Sequence, residues 1–291
     1  MPELPEVEVV RLGLEPAIVG ATLRDVRVLE PRSLKRHDAR RGDFVGMLIG
    51  RTVNSAQRRG KFMWFPLDGS GTGDHVDALV THLGMSGQVL LNTRDASPER
   101  HLRIQFVIEP GDGEPLLMSF VDQRIFGSMA VDYLVAVGDR WVPSQVAHIA
   151  PDPLEPAFDD ERFVAAIRAK HTGVKRAILD QTLISGVGNI YADEALWASK
   201  IHGERATERL TRAQAESLLA EIRVVLQKAL AEGGTSFDEQ YLNVNGESGY
   251  FAHSLNAYGQ TGRPCPRCGT PIVRKSFMNR GSHFCPRCQR R

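Results

Sequence analysis

Apolar residues recur at two different spacings along the chain, and the change of spacing divides it. In the first half the spacing is two: Leu102, Ile104, Phe106 and Ile108 alternate with Arg103, Gln105 and Val107, the pattern of a strand with one buried face. Thr22–Leu29, Phe62–Leu67, Ala78–His82, Gln88–Leu91 and Leu116–Val121 read as further strands, punctuated by Gly/Asp/Ser turns such as 68–74 and 111–113. Strands at such spacing predict a β-sandwich or barrel, preceded by one helix over Glu6–Leu14. Ala150-Pro-Asp-Pro-Leu-Glu-Pro-Ala157 then places three prolines in eight residues, which neither a helix nor a central strand tolerates. Beyond it the period is helical. Phe163, Ile167 and Ile178 belong to short helices, and Leu218, Leu219, Ile222, Val225, Leu226, Ala229 and Leu230 form one apolar stripe that Gly233-Gly234 ends. Thr235–Tyr258, rich in Gly, Asn, Ser and Tyr, predicts a long loop of the kind that is functional or disordered.

Composition narrows the class. A chain of 291 residues, 42% hydrophobic and 24% charged, suits one large or two medium domains and excludes disorder as the global state. No apolar run approaches the length of a spanning helix, and the start MPELPEVEVV is acidic, so a soluble intracellular protein with no membrane partner is expected. The net charge of +1 decides nothing about partners. Its distribution says more: Arg32–Lys61 holds nine basic residues against two acidic ones, and from Ser248 onward there are eight basic residues and no acidic one. Such blocks suggest a polyanion-binding face, although charge runs are more often solvated surface.

Two segments carry candidate chemistry. Cys265, Cys268, Cys285 and Cys288 form two C-P-R-C pairs separated by sixteen residues, a spacing that suits four thiolates converging on one structural zinc ion. Two disulfides are the alternative, disfavoured in a reducing compartment. At the other end, removal of Met1 leaves Pro2 as a free secondary amine. An α-amino group titrates near 7.7–8.0, so part of it is neutral and able to form a Schiff base, with Glu3 and Glu6 as proton-transferring or charge-stabilising carboxylates. Taken alone, a frayed proline-containing terminus explains these residues as well.

The runs PELPEVE, RRGKF (58–62), HLGMSG (82–87), DQRIFG (122–127) and SGVGNIYADEALW (185–197), with the four-cysteine finger, resemble the bacterial formamidopyrimidine-DNA glycosylases in the same order over nearly the whole chain. The resemblance implies a multi-domain α+β protein. Its parts are an N-terminal β-sandwich with flanking helices (1–149), a linker (150–157), a helix–two-turns–helix DNA-binding domain with a lesion-capping loop (158–250) and a zinc finger (251–291). It implies base-excision repair by a monomer acting in the cytoplasm on the nucleoid. Oxidised purines, such as 8-oxoguanine and formamidopyrimidines, would be excised from double-stranded DNA and the abasic strand then cut by β,δ-elimination.

Residue by residue, Pro2 matches the nucleophile, Glu3 the acid assisting sugar-ring opening, Glu6 a supporting carboxylate, and Lys61 a phosphate contact and proton donor. Met85, Arg124 and Phe126 match the side chains filling the gap left by the extruded base; without the resemblance Met85 and Phe126 read as core. Asn189 and Lys170 match phosphate ligands, and Arg280 the arginine gripping phosphates beside the lesion and linked to δ-elimination. His101 is a further DNA contact or a strand-edge histidine. Ile125 stands where the family often has a second arginine, and the turn 68–77 is longer than usual. The endonuclease VIII type, acting on oxidised pyrimidines, and a non-catalytic damaged-DNA-binding homologue are the alternatives; Leu4-Pro5 and the intact Pro2, Glu3 and Lys61 speak against them.

Overall fold

Alternation of buried and half-exposed positions through Ile104, Phe106 and Ile108 holds in the strand Leu102–Glu109, where those three side chains face one core. The computed structural model describes residues 2–69, 75–234 and 251–291. Two compact units divide the chain between His148 and Ile149, and the second also takes Glu3–Pro5.

Among the described residues the first unit carries a helix, α1 (Leu4–Ile18 as a whole), and nine strands: β1 (Thr22–Val28), β2 (Gln57–Arg59), β3 (Phe62–Pro66), β4 (Asp77–His82), β5 (Gly87–Thr93), β6 (Leu102–Glu109), β7 (Leu116–Asp122), β8 (Ser128–Val137) and β9 (Arg140–Pro143). They form two antiparallel sheets, ordered β1-β6-β7-β5 and β2-β3-β4-β8-β9. Phe106, Met118 and Phe120 from one sheet, Met63, Phe65, Leu79 and Val131 from the other, and Val7, Val10, Leu14 and Ile18 of α1 share one core. It is a sandwich.

The structure departs from the sequence pattern in two places. The first helix is longer than Glu6–Leu14. Pro5 sits in its first turn, where no amide is needed, and Pro16 and Leu12 are both exposed, so the carbonyl that Pro16 deprives of a partner lies toward solvent. Strands β2, β8 and β9 were not separately legible. The Gln-Arg-Arg of β2 has no apolar residue, and β8 is buried on both faces over Ser128–Asp132, so neither alternates.

The second unit contains α2 (Asp160–Ala169), α3 (Val174–Ile178), α4 (Asn189–Ala198), α5 (Arg212–Ala231) and the hairpin β10 (Val273–Phe277)–β11 (Arg280–Phe284). The stripe read from the sequence is buried in α5 at Leu218, Leu219, Ile222, Leu226 and Ala229, with Val225 and Leu230 at its margin. Thr211 and Gln214 close a reciprocal capping box at the start of α5, and Gly233 and Gly234, both with positive φ, follow its end. The proline-rich stretch 150–157 has neither helix nor strand, yet it is packed rather than loose: Asp152 and Glu155 are buried, and Ala150 N donates to Gln181 O at 3.0 Å. Of the expected loop Thr235–Tyr258, residues 235–250 lie outside the described residues, as do Met1 and residues 70–74 of the long turn. No described helix is long and apolar enough to cross a membrane.

Candidate active site and zinc centre

In the first unit Pro2 and Glu6 are both buried at the start of α1. Lys61 occupies the two-residue turn Gly60-Lys61 between β2 and β3, whose register pairs Arg59 with Phe62. Arg58 ties this hairpin to α1: its Nε donates to Glu8 Oε2 at 2.8 Å, and Arg11 grips the same carboxylate at 2.9 Å. Burial raises the Glu8 pKa, but the two guanidiniums outweigh it and hold the carboxyl below its ordinary range. The strut fixes the lysine turn against the helix that starts beside Pro2.

His82, which the sequence reading did not single out, stands opposite Phe62 in the β3–β4 register and packs against its ring at 4.7 Å. Burial, then the positive charges of Arg36, Lys61 and Lys35, push its pKa down to about 4. Its Nδ1 accepts from Gly84 N at 3.1 Å, so the neutral ring keeps Nε2–H as a donor. The only sequence signal was its place at the head of HLGMSG.

Met85 and Phe126, expected as wedge residues rather than core, are 41% and 51% exposed, and Arg124 is exposed beside them in sequence. They stand on the β4–β5 and β7–β8 turns. His101 precedes β6 with a left-handed backbone, φ 67°, and is half-buried.

The second unit holds the remaining candidate residues. Glu3 is 1% exposed and lies at the N-terminus of α4. A Cβ on Gly188, the residue capping that helix, would sit 1.8 Å from the Glu3 carboxyl, and one on Gly186 2.4 Å from Leu4. The glycines of SGVGN therefore make room for the N-terminal segment, and the positive end of α4 faces a carboxylate. Asn189 opens α4, and its Nδ2 donates to Gly281 O at 3.0 Å, next to Arg280. Arg280 is exposed as the first residue of β11, after a tip in which Met278 and Asn279 both have positive φ, as a type I′ turn requires. Glu3, Asn189 and the Arg280 hairpin are thus brought together. Among the described residues no contact joins Lys170 to them: its Nζ pairs with Asp180 at 2.8 Å.

The four cysteine sulfurs lie within 4.8 Å of one another. Tetrahedral zinc with bonds of about 2.3 Å sets sulfurs roughly 3.8 Å apart, so the donor set fits the ion. Trp197 Nε1–H donates to Cys265 Sγ at 3.4 Å, an outer bond of the kind that orients thiolate ligands. All four ligands are protein thiolates, so the metal is structural.

Family models match the N-terminal domain of formamidopyrimidine-DNA glycosylase over residues 1–129, its H2TH domain over 149–240, and the zinc finger found in FPG and IleRS over 262–291. The chain belongs to the formamidopyrimidine-DNA glycosylase family. Proteins of that name from Leifsonia xyli and Thermobifida fusca are 57% and 55% identical, covering all of this chain and 100% and 98% of their own. Among solved structures, a Lactococcus lactis FPG variant in complex with Fapy-dG-containing DNA matches at TM-score 0.82 and 33% identity over both full chains. The MutM (FPG) protein from Thermus thermophilus matches at 0.81 and 35%, over 99% of this chain and 98% of that one.

Three outcomes are expected. Gly188→Ala drives a methyl group into the Glu3 carboxylate, at about 1–3 kcal/mol, read as a lower denaturation midpoint; adding Glu3→Ala recovers part of that loss. Between pH ~6.5 and ~4 an unfolded-chain histidine takes up a proton that folded His82 refuses, so stability falls as pH falls, by roughly 3 kcal/mol. His82→Gln removes that component from the difference between the two pH–stability curves. Elemental analysis finds one zinc per chain, and a strong chelator that removes it abolishes hydrogen-exchange protection in β10 and β11.

Proposed function

We propose that this chain is a base-excision-repair enzyme that removes oxidised purines from double-stranded DNA and then cleaves the abasic strand. What carries the reading is the N-terminal pair: Pro2 buried at the start of α1, followed directly by Glu3, whose carboxylate is buried at the N-terminus of α4. An amine and a carboxyl group fixed as consecutive residues give the arrangement that Schiff-base chemistry needs. The names of the relatives, and neighbours solved with Fapy-dG-containing and abasic-site DNA, support the same substrate.

In this reading the Pro2 nitrogen lone pair attacks C1′, and the damaged base leaves with the bonding electrons and a proton. Glu3 assists opening of the sugar ring, and Glu6 supports the charge that develops on nitrogen. Lys61, at the tip of its hairpin, contacts phosphate and moves a proton in β-elimination. Arg280, Asn189 and Lys170 hold the phosphates, and His101 is a further contact. Phosphate release on the other side of the sugar, δ-elimination, depends on Arg280. Met85, Arg124 and Phe126 fill the space of the extruded base, offsetting part of the few kcal/mol that unstacking costs. The enzyme works as a monomer on the nucleoid in the cytoplasm, and zinc serves only to fold the hairpin that carries Arg280.

Borohydride traps the wild-type protein on a duplex containing 8-oxoguanine, and Pro2→Gly largely loses activity while still binding the duplex; an adduct mapped to Lys61 instead rejects Pro2 as the nucleophile. Preferential trapping on thymine glycol favours the endonuclease VIII type, and binding without trapping on any lesion favours a non-catalytic homologue. Arg280→Ala weakens binding whatever base lies opposite the lesion and reduces the salt slope by about one unit. Arg124→Ala instead narrows the preference for cytosine over adenine by about 1–3 kcal/mol.

A further inference from the structure

Two turns carry the exposed trio Met85, Arg124 and Phe126, and one buried carboxylate joins them. Asp122, the last residue of β7, is 0% exposed. Its Oδ1 accepts from Ser86 Oγ at 2.6 Å and from Arg124 N at 3.1 Å, and its Oδ2 accepts from Gly127 N at 2.7 Å. Ser86 Oγ also accepts from Arg124 N at 3.3 Å. Every partner is a donor, so a side chain that only accepts suits the position. The turns are also in backbone contact: a Cβ on Gly84 would fall 2.4 Å from Gly127 N and from the Phe126 carbonyl carbon.

Between Arg124 and Phe126 the backbone of Ile125 is left-handed, φ 57°. A β-branched residue enters that region only when its surroundings force it there. One such constraint is Lys35, whose Nζ donates to Ile125 O at 3.1 Å and to Phe126 O at 2.9 Å. Lys35 belongs to the basic block of the sequence, yet its ammonium is committed to two main-chain carbonyls.

We infer that Asp122 and Lys35 are positioning residues that hold Met85, Arg124 and Phe126 preassembled as a wedge, so that base extrusion does not also have to order these turns. The inference rests on the reading of that trio as the group that replaces the extruded base. A mobile wedge would lose part of its contact energy to the entropy of fixing two turns. A prebuilt one delivers it at first contact with the stack.

The test is single-turnover excision of 8-oxoguanine from two duplexes, one fully paired and one with mismatched pairs on both sides of the lesion, where stacking is already broken. Asp122→Asn keeps the volume but puts an NH2 group among donors; Lys35→Met keeps the stem and removes the charge, and carries the test alone if Asp122→Asn fails to fold. Each is expected to slow excision about tenfold or more from the paired duplex and less than about threefold from the pre-melted one. Equal losses on both duplexes, as from general destabilisation, or no loss on either, overturn the positioning role. Wild-type protein that excises from neither duplex overturns the repair reading itself, and the inference with it.

Discussion

The second unit is organised around one buried carboxylate, Asp193 on α4. It accepts from Lys175 Nζ at 2.6 Å, Ser282 Oγ at 3.1 Å and His283 N at 2.7 Å, with His283 Nδ1 at 3.3 Å. Burial pulls the Lys175 pKa down while the charge of Asp193 opposes it. Two desolvated charges roughly break even as a pair, but removing either strands the other at about 3–5 kcal/mol. The worth of the pair lies in geometry: helix α4 and strand β11 are held at one register. The same helix presents its N-terminus to Glu3, gives Asn189 to the carbonyl of Gly281, and uses Glu194 to accept from the amides of Asn256, Ala257 and Tyr258. Segments from both ends of the chain thus refer to a single helix of ten residues.

The first unit solves a different problem. Its core is ordinary, shared by two sheets and α1, and its candidate side chains Lys61, Met85, Arg124 and Phe126 sit on turns rather than strands. Turns need anchors, and here the anchors are charged groups used internally. Arg58 reaches Glu8, Arg41 reaches Asp77 and Asp132, and Lys35 reaches the carbonyls of Ile125 and Phe126. Arg59 is 1% exposed. The charge of the basic block is therefore partly used up inside the fold. Several of its members are struts, while Arg32 and Arg40 pair on the surface with Glu30 and Asp38, where such contacts contribute little.

Local periodicity and side-chain chemistry were legible in the amino-acid order alone. Period-two alternation marked β6, a 3.6-residue stripe marked α5, three prolines marked the break near residue 150, and two C-P-R-C pairs marked the metal site. The ordered motifs identified the family and named Pro2, Glu3, Lys61 and Arg280. Whatever depends on partners distant in the chain was settled only by folding. Folding buried β8 on both faces and so erased its alternation, and it turned the glycines of SGVGN into a cradle for Glu3. It lowered the pKa of His82 by burying it, with three cations adding to the effect, and it assigned Asp193, Asp122 and Lys35 their bonds. The physical reason is range: periodicity and spacing are written between neighbours a few residues apart, whereas burial and charge pairing are summed over neighbours in space.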